Sequence, residues 1–496
     1  MRTLKLLLPL VLLLPLAGHA AIVDIHVTSA ADSGPNTLRQ AIIDGNAMTA
    51  NNNAPRILID LDSTTPIVLA SPLPSMTAPA FQIIGTKPGR AKIDGAGLHR
   101  ILVADPAVLL FLLRNVAVFN GYSSSAASAC LEVGNAGGSG FSTLDGVWFQ
   151  NCKQSSAGIA NGAAVIASHN LTIKNSIFQF NQSIGESSTQ GAAIMLLSDS
   201  DLKITASHFS SNQAISNSST GGARAEGGAI YILNGNSLTI EDSVFSGNRA
   251  RTPNDGSAGI RFGGALSVRL DKAMVVKRSA FSNNMAGEGG AIHHRGNSLA
   301  DATVSLRNVT AFDNRASGSG GALVSNSTLY LDNNTFWKNS AGVAGDNLAG
   351  SGTDANIYSA YHNLFAAGAG VGDSCTNFTT SFSSGYNIIP APECGLGGST
   401  TDQITNDLRI RGAYLGPGLN YTVELYQGSP ALDAGNPLPP ADDTFARCPE
   451  LDGIGQPRPV DASGTGAPAR CDIGALEAQS EPSLFIDDFD GRWLRP

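Results

Sequence analysis

The residues best suited to chemistry in this sequence are a histidine pair followed by an arginine, His293, His294 and Arg295. An imidazole beside a guanidinium can act as a base or help to bind an anion. The three residues directly follow the stretch Gly-Gly-Ala-Ile at 289–292, so they belong in or just after a predicted strand. Because adjacent residues on a strand face opposite ways, we expect only one histidine to face the surface. A tolerated surface pair without a role in binding is the simpler interpretation.

Four more arginines lie in two segments whose length varies between the units of a repeat. Segment 249–262, RARTPNDGSAGIRF, carries three arginines against one acid, and segment 213–226 carries the fourth beside Glu226. If such segments leave successive units at the same place, they lie side by side and form a locally positive ridge. The guanidinium fork suits carboxylate or sulfate groups, although the arginines could equally serve only to keep solvated loops soluble. The predicted ridge comprises Arg224, Arg249, Arg251, Arg261, His293, His294 and Arg295.

Motifs for the common hydrolytic and phosphoryl-transfer chemistries are absent. The sequence has no Gly-x-Ser-x-Gly, His-Glu-x-x-His, Walker A or EF-hand pattern. Hydrolysis of a glycosidic bond needs two carboxylates roughly 5–10 Å apart. Asp60 and Asp62 share a predicted strand face, and Asp199 with Asp201 could do the same. All four stand beside predicted turns, where Asp is favoured structurally. We therefore assign no catalytic residue, metal or cofactor, and Ca²⁺ enters only under the alternative of an enzyme.

An internal repeat must position these groups. Phe-x-x-Asn recurs in alternation with Gly-Gly-Ala-[Ile/Leu], and the asparagines are 25 to 36 residues apart. Such a period indicates a solenoid of stacked units. Alternation such as LTIEDSVFSGN, from Leu238, predicts short strands that pair with the units above and below, as in an all-β, single-stranded parallel β-helix. The strict pairs are Phe178/Asn181, Phe209/Asn212, Phe245/Asn248, Phe281/Asn284 and Phe336/Asn339.

The repeated residues are predicted to be scaffold. Each Phe should point inward and stack on the Phe of the next coil, while each Asn should form a hydrogen-bonded ladder at a bend. The paired glycines should supply a second bend too tight for larger side chains. Looser copies of the motif occur at Phe149/Asn151 and Phe312/Asn314.

The Phe-x-x-Asn and Gly-Gly-Ala-Ile motifs resemble the polymorphic outer-membrane protein repeat of surface-exposed bacterial β-helices. The segments GSPALDAGNP (428–437) and DGIGQPRPVDASGTGAPARCDIGALE (452–477) are similar to the terminal region of exported β-helix proteins of the choice-of-anchor Q type. These resemblances imply a right-handed coil and a location at the cell surface or outer membrane, or release from the cell.

The ends of the chain carry separate signals. Residues 1–20, MRTLKLLLPLVLLLPLAGHA, read as a signal peptide because a basic start precedes a short apolar run and small residues. Thr37 with Gln40 is a capping box for a short helix that would cover the first coil. We thus predict a β-helix with its N-terminal cap over 21–380, a β-rich C-terminal capping or anchor-type region over 381–478, and an acidic-aromatic tail over 479–496.

The six cysteines fall into three couples that are close in sequence. An oxidising compartment favours disulfides, and no Cys-x-x-Cys or Cys-plus-His cluster favours a metal. The predicted disulfides are Cys130–Cys152, Cys375–Cys394 and Cys448–Cys471.

Charge and motif content together favour a binding protein. The net charge is −9 and becomes more negative without residues 1–20, whereas a nucleic-acid binder is normally basic. After removal of the leader no apolar run is long enough to span a membrane. We expect an exported, adhesin-like monomer that binds a polysaccharide or a surface protein. The alternatives are a lyase or hydrolase acting on an acidic polysaccharide, and a purely structural surface protein.

Overall fold

The computed structural model describes residues 21–48, 53–125, 127–197, 199–218, 222–253, 259–297, 302–366, 368–370, 373–393, 395–415, 421–442, 447–461 and 469–478. The predicted signal peptide and the acidic-aromatic tail both lie outside this part of the chain. Within it, the polypeptide forms one α-helix, Leu38–Ala47, and a series of short strands. None of the described helices is long and apolar enough to cross a membrane.

The strands form stacked coils, and each strand pairs in parallel with its equivalents in the coils before and after it. The long sheet contains Ile22–Val27, Ala54–Ile59, Ala80–Gly85, Leu102–Val103, Leu110–Arg114, Leu131–Asp145, Val165–Lys174, Ile194–Leu196, Leu202–Thr205, Ile230–Gly235, Leu238–Glu241, Leu266–Leu270, Met274–Lys277, Ile292–Gly296, Thr303–Arg307, Leu323–Ser325, Thr328–Asp332, Leu348–Gly350, Asn356–Tyr361, Cys375–Thr376 and Thr380–Gly385. The second sheet contains Ile67–Val68, Ala91–Asp94, Val116–Phe119, Trp148–Gln150, Ile177–Gln179, His208–Ser210, Val244–Ser246, Ala280–Ser282, Thr310–Phe312, Thr335–Trp337, Leu364–Phe365, Ile388–Ile389 and Gln403–Ile404. The third sheet contains Tyr122–Ser123, Lys153–Ser156, Gln182–Gly185, Gln213–Ser216, Arg249–Arg251, Met285–Ala286, Arg315–Ala316 and Ser340–Ala341. The short sheet contains Ile159–Asn161, Ser188–Gln190, Arg224–Glu226 and Ile260–Phe262.

One coil shows the path of the chain. It runs from Val165–Lys174 in the long sheet through Ile177–Gln179 in the second sheet, then Gln182–Gly185 in the third and Ser188–Gln190 in the short sheet. It then returns to the long sheet one level higher. This is a parallel β-helix, and the fold predicted from the repeat is confirmed.

Aromatic side chains fill the interior behind the second sheet. Phe149, Phe178, Phe209, Phe245 and Phe281 are fully buried and form a continuous stack, with ring centroids 4.6 to 5.2 Å apart. This distance matches the strand spacing of about 4.8 Å, so the helical rise itself brings the rings into contact.

The stack has one interruption that the sequence motif did not indicate. Ala311, not Phe312, is in register with Phe281 below and Phe336 above. Phe312 instead faces the opposite side of the strand and lies 6.4 Å from the Trp337 ring. The loose copy at Phe312 is therefore one residue out of step, and the stack resumes with Phe336 on Phe365.

The two bends of the repeat have different chemistry. At the bend after the second sheet, the buried asparagines from Asn181 to Asn314 each donate to the Asn of the next coil, as from Asn212 to Asn248 over 2.9 Å. At the bend before the long sheet, Gly227 has φ of +64°, and a Cβ there would lie 2.1 Å from the carbonyl oxygen of Ile230. Only glycine allows the chain to turn this closely.

The asparagine ladder begins at Asn181 and does not include the loose copy below it. The Asn181 side chain is fully buried and donates to Asn212 over 2.8 Å. In the coil below, the residue that meets Asn181 is Cys152, whose backbone N–H donates to the Asn181 amide oxygen over 3.0 Å. The expectation that Asn151 belongs to this ladder is wrong, because Asn151 stands one residue before the buried position and is exposed.

The ladder also ends differently from the motif, at Asn339. Asn339 is fully buried and accepts a hydrogen bond from Asn314 over 2.9 Å, so the second loose copy does join the ladder. Asn339 then donates to Asn347, which lies at the bend before the long sheet, over 2.9 Å. The prediction that each Asn bonds the Asn of the next coil is wrong here, because Gly368 follows Phe365 where the motif would place an asparagine.

The N-terminal helix covers the first coils, as predicted. Thr37 is its N-cap, and the Thr37 hydroxyl accepts a hydrogen bond from the backbone N–H of Gln40. Leu38, Ala41 and Ile42 are buried beneath the helix. The Gln40 side chain donates to Asp44 instead of returning to the cap, so only half of the predicted capping box forms.

The C-terminal region continues the coil and then folds back. Parallel pairing extends past the predicted boundary at 380, to Gln403–Ile404. An antiparallel hairpin, Ile410–Leu415 with Tyr421–Leu425, follows and contacts the second sheet from outside. The remaining described residues dock on the flank of the last coils, where the Ala475 N–H donates to Thr335. We expected this region to close or brace the far end, whereas it braces the side.

Two of the predicted disulfides are confirmed, Cys130–Cys152 and Cys448–Cys471. Cys375 is also disulfide-bonded, and its predicted partner Cys394 lies outside the described residues.

Candidate functional site

The arginines and histidines with the most chemical potential meet where the short sheet joins the long sheet. On the strand Arg224–Glu226, Ala225 packs against Ala250 of the third sheet, within a small buried alanine cluster. Because side chains alternate along a strand, Arg224 and Glu226 face the other way, towards the outer face of the long sheet. We call this place the junction site, and it comprises Arg224, Glu226, Tyr231, Phe262, Arg269, Glu288, His293 and Arg295.

A planar group from each sheet joins the two walls of the site. Phe262 of the short sheet stacks on His293 of the long sheet, with ring centroids 4.0 Å apart and an interplanar angle of 3°. The Arg224 guanidinium lies 5.9 Å from the Phe262 ring centroid, within range of a cation–π contact. Arg224 also forms an ion pair with the buried Glu226, at 2.8 Å. The packing therefore holds Arg224 in one orientation.

The floor of the site is a row of in-register residues on the long sheet. Tyr231 pairs with Ser267, and Ser267 pairs with His293. All three point out of the solenoid interior, yet they are buried. Tyr231 packs in a small apolar cluster with Ile166 and Met195. The cluster makes the floor rigid.

Two arginines form the open rim. Arg269 and Arg295 are paired in register on neighbouring strands, so their Cα atoms are about one strand spacing, ~4.8 Å, apart. Among the described residues, neither guanidinium forms an ion pair. Two like charges this close repel each other, so an anion bound between them would relieve that repulsion.

Burial fixes the protonation states of the floor. It raises the pKa of Tyr231 to about 12, with a further contribution from Glu226. Burial, together with a smaller effect of the nearby Arg295, lowers the pKa of His293 to about 3. At neutral pH the phenol is therefore protonated and the imidazole is uncharged.

The remaining charges favour an anion. Burial raises the pKa of Glu288, whose carboxylate lies 3.9 Å from His293 Nε2. Glu226 is already paired with Arg224. The positive charges of Arg269 and Arg295 thus outweigh the single negative charge of the Glu288 carboxylate.

The structure brings together only part of the predicted ridge. Arg224, His293 and Arg295 meet in the junction site. Arg249 and Arg251 lie on the third sheet and, by strand alternation with Ala250, face away from the junction site. The ridge is therefore split between two opposite faces.

Two other predicted residues are buried. Arg261 is buried between the third and short sheets, where its guanidinium donates to Ser317 over 2.7 Å. His294 points into the solenoid interior and contacts Ser325 at 3.2 Å. We expected one histidine of the pair to be exposed, and this expectation is wrong. His293 faces outward, but Phe262 of the short sheet covers it.

Sequence reasoning missed Tyr231, Phe262, Arg269 and Glu288. Alignment of the Gly-Gly-Ala-[Ile/Leu] units would have found two of them. Tyr231 and His293 each directly follow the final Ile of a unit, and Arg269 and Arg295 each stand three residues after the final Leu or Ile. Equal offsets in a solenoid place residues in one row along the axis.

Three of the four carboxylates considered for hydrolysis have structural partners. The Asp60 carboxylate contacts His26 and accepts a hydrogen bond from Thr86, and Asp62 accepts one from the Thr64 N–H. Asp201 accepts hydrogen bonds from Asn236 and Ser237 of the next coil. These contacts stabilise turns.

One cluster resembles a metal site by residue type. His362 lies near Cys448 and Cys471, and its Nε2 is 3.7 Å from Cys448 Sγ. The two sulfurs are bonded to each other, and His362 Nε2 accepts a hydrogen bond from the Asn436 N–H. These atoms are therefore occupied in packing the C-terminal region onto the coils.

Comparison with known proteins supports the fold. The family described as "Right handed beta helix region" matches residues 129–344. The chain is thus similar to right-handed β-helix proteins over the coils that carry the junction site. No curated protein and no solved structure matches it.

Proposed function

We propose that this chain is an exported, adhesin-like β-helix protein that binds an acidic polysaccharide at the junction site. The observation that carries the proposal is the in-register pair Arg269 and Arg295, which has no ion-pair partner among the described residues. Disulfides in the coil and in the C-terminal region support an oxidising location outside the cytoplasm.

The site suits a carboxylate or sulfate on a polymer. A guanidinium offers paired N–H donors in a plane, which matches two oxygens of such a group. Tyr231 and His293 are uncharged at neutral pH and lie two residues before the arginine row, on the same face of the long sheet. A polymer that follows the solenoid axis could contact Arg269 on one coil and Arg295 on the next.

The same geometry favours binding over catalysis. A general base needs a pKa near the working pH and access to the substrate. Burial moves the pKa of Tyr231 to about 12 and that of His293 to about 3, and both side chains are covered. Neither Tyr231 nor His293 is therefore suited to act as the general base that the enzyme alternative requires.

The test is a binding titration of the purified protein with polygalacturonate, alginate and heparin, with dextran as the neutral comparison. We expect at least one acidic polymer to bind and dextran not to compete. The double variant Arg269→Gln, Arg295→Gln should weaken binding at least tenfold, because loss of charge-assisted hydrogen bonds costs about 1.5–3 kcal/mol.

The matched control removes two arginines of the third sheet. Arg249→Gln with Arg315→Gln makes the same change in net charge on the other face, where both residues are exposed. Equal losses from the two double variants would show that only overall charge matters and would overturn the site. Shortening of any polymer during the titration would instead support the enzyme alternative.

A further inference from the structure

A concave surface lies away from the junction site, in the N-terminal coils. It is a cavity of about 450 Å³ at the bend between the second and third sheets. Its lining combines polar side chains with small residues and an aromatic ring. The lining residues are Asp94, Ala96, Gly97, Asn120, Gly121, Tyr122, Asn151 and Lys153.

A disulfide holds the wall of this cavity. Cys152 stands between Asn151 and Lys153, and it is bonded to Cys130 of the preceding coil. The backbone of Gly121 lies directly over that bond, since a Cβ at Gly121 would be 2.6 Å from Cys130 Sγ. The lining residues are therefore held in place by a covalent link between two coils.

The amides in the cavity form a short chain of hydrogen bonds that leaves some of their capacity for a ligand. Asn151 donates to Asn120 over 3.4 Å, and Asn120 donates to Asp94 over 3.1 Å. Each amide has two N–H donors, so this chain uses one from each. The cavity also offers the Lys153 ammonium, the second oxygen of Asp94 and the Tyr122 phenol.

We propose that this cavity binds one neutral pyranose unit. The carboxylate of Asp94 and the ammonium of Lys153 balance, so the site carries no net charge to select an ion. Its mixture of donors and acceptors matches the several hydroxyls of a sugar, and the Tyr122 ring offers a flat face for the apolar side of the pyranose. Asp94 would repel the carboxylate of a uronic acid.

A polar row extends from the cavity along the third sheet. Lys153 is in register with Gln182, and Gln182 is in register with Gln213. Both glutamines are half-buried on the outer side, one strand spacing apart. The pyranose can thus belong to a chain that continues along the sheet and contacts these amides.

This inference goes beyond the proposed function, because it concerns a different face and an uncharged ligand. The test is saturation-transfer difference NMR on the full chain with glucose, galactose and mannose, and with glucuronate as the charged comparison. We expect transfer to at least one neutral sugar. Lys153→Met and Asn151→Gly should each weaken that binding about tenfold, as the loss of one or two hydrogen bonds predicts.

The variants are chosen to keep the fold. Asn151 has a φ of +54°, which glycine adopts freely, and Lys153 is exposed. Lys203→Met, on the exposed face of the long sheet, is the matched control and should leave binding unchanged. The Arg269→Gln, Arg295→Gln variant should also leave it unchanged, which separates this test from that of the junction site.

Three results would overturn the proposal. They are no transfer to any neutral sugar, glucuronate binding as tightly as the best neutral sugar, and unaltered binding in both cavity variants with the disulfide intact by mass spectrometry.

Discussion

His294 is an ionisable side chain in the solenoid interior. It occupies a row that Ile232 and Val268 fill in the two preceding coils, and Ser325 follows it. Burial lowers its pKa to about 3, from a usual value of 6.5. Between these two pH values the unfolded chain takes up a proton that the native chain does not. The native state therefore loses stability as pH falls from 6.5 towards 3.

Replacement of this histidine by an apolar residue should remove its share of that pH dependence, while the buried His293 and His362 keep theirs. For His294→Leu with Ser325→Ala, we expect a higher free energy of unfolding at pH 5, because one fewer buried group is left to protonate in the unfolded chain. A single such group contributes up to about 1.4 kcal/mol per pH unit in this window. Urea unfolding at pH 5 and pH 7.5 measures the difference.

An exposed histidine provides the comparison for this prediction. His26→Gln changes a side chain on the first strand that is largely open to solvent. Its contact with Asp60 lies at the surface and contributes little, so the difference in urea midpoint between the two pH values should stay close to that of the unaltered protein. If the His294 variant retains that difference in full, burial of His294 does not contribute to the acid sensitivity.

At the scale of the structural element, the asparagine ladder turns one bend of each coil into part of a continuous network. The Asn248 side chain donates to Asn284 over 3.0 Å and to the Phe209 carbonyl over 2.9 Å. Its oxygen accepts hydrogen bonds from both the backbone and the side chain of Asn212. Because the site is fully buried, water cannot replace these partners.

Asn248→Ala should therefore be costly. It leaves donors of Asn212 and the Phe209 carbonyl buried without partners, and each such group costs about 1–3 kcal/mol. We expect a loss of several kcal/mol, measured by urea unfolding. Asn283→Gly is the control, because Asn283 is exposed on the same bend and glycine adopts its φ of +54°. Similar losses in both variants would assign the effect to the backbone of the bend.

The elements predicted best from the sequence are those whose residues repeat at constant spacing. The Phe stack and the interior of the Asn ladder follow from the motif because a solenoid places equal offsets in one row. The two ends of the ladder, at Asn181 and Asn339, were not predicted, because their outer partners come from residues outside the motif.

Other features gave too weak a signal in the sequence. A serine ladder runs from Ser176 through Ser207 to Ser243, in which each backbone N–H donates to the hydroxyl of the next serine. It was missed because serine is common in this chain. The junction site was only partly predicted. The short sheet covers part of the outer face of the long sheet, and the repeat motif does not indicate which part.

At the scale of the whole molecule, the C-terminal region docks through a buried polar cluster. The Arg458 guanidinium is fully buried and contacts Glu477 at 3.1 Å. It also donates to the backbone carbonyls of Asp472 and Gly474, and lies 3.5 Å from Asn308 of the coil. Burial raises the pKa of both Asp472 and Glu477. This arginine thus links segments 447–461 and 469–478 to each other and contacts Asn308 on the flank of the solenoid.

Arg458→Met should release that region without unfolding the distant coils. Removal of one partner from a buried ion pair costs about 3–5 kcal/mol, because the other charge stays buried. Since each coil contacts only its neighbours, the effect should remain local. In hydrogen exchange followed by mass spectrometry, we expect faster exchange in 447–461, 469–478 and the coils they cover, and unchanged protection over 149–245.

The control is Arg411→Met, at an exposed arginine 3.4 Å from Glu424, which should change exchange in neither part. Faster exchange throughout the chain would instead mean that the solenoid and its C-terminal region unfold as one cooperative unit.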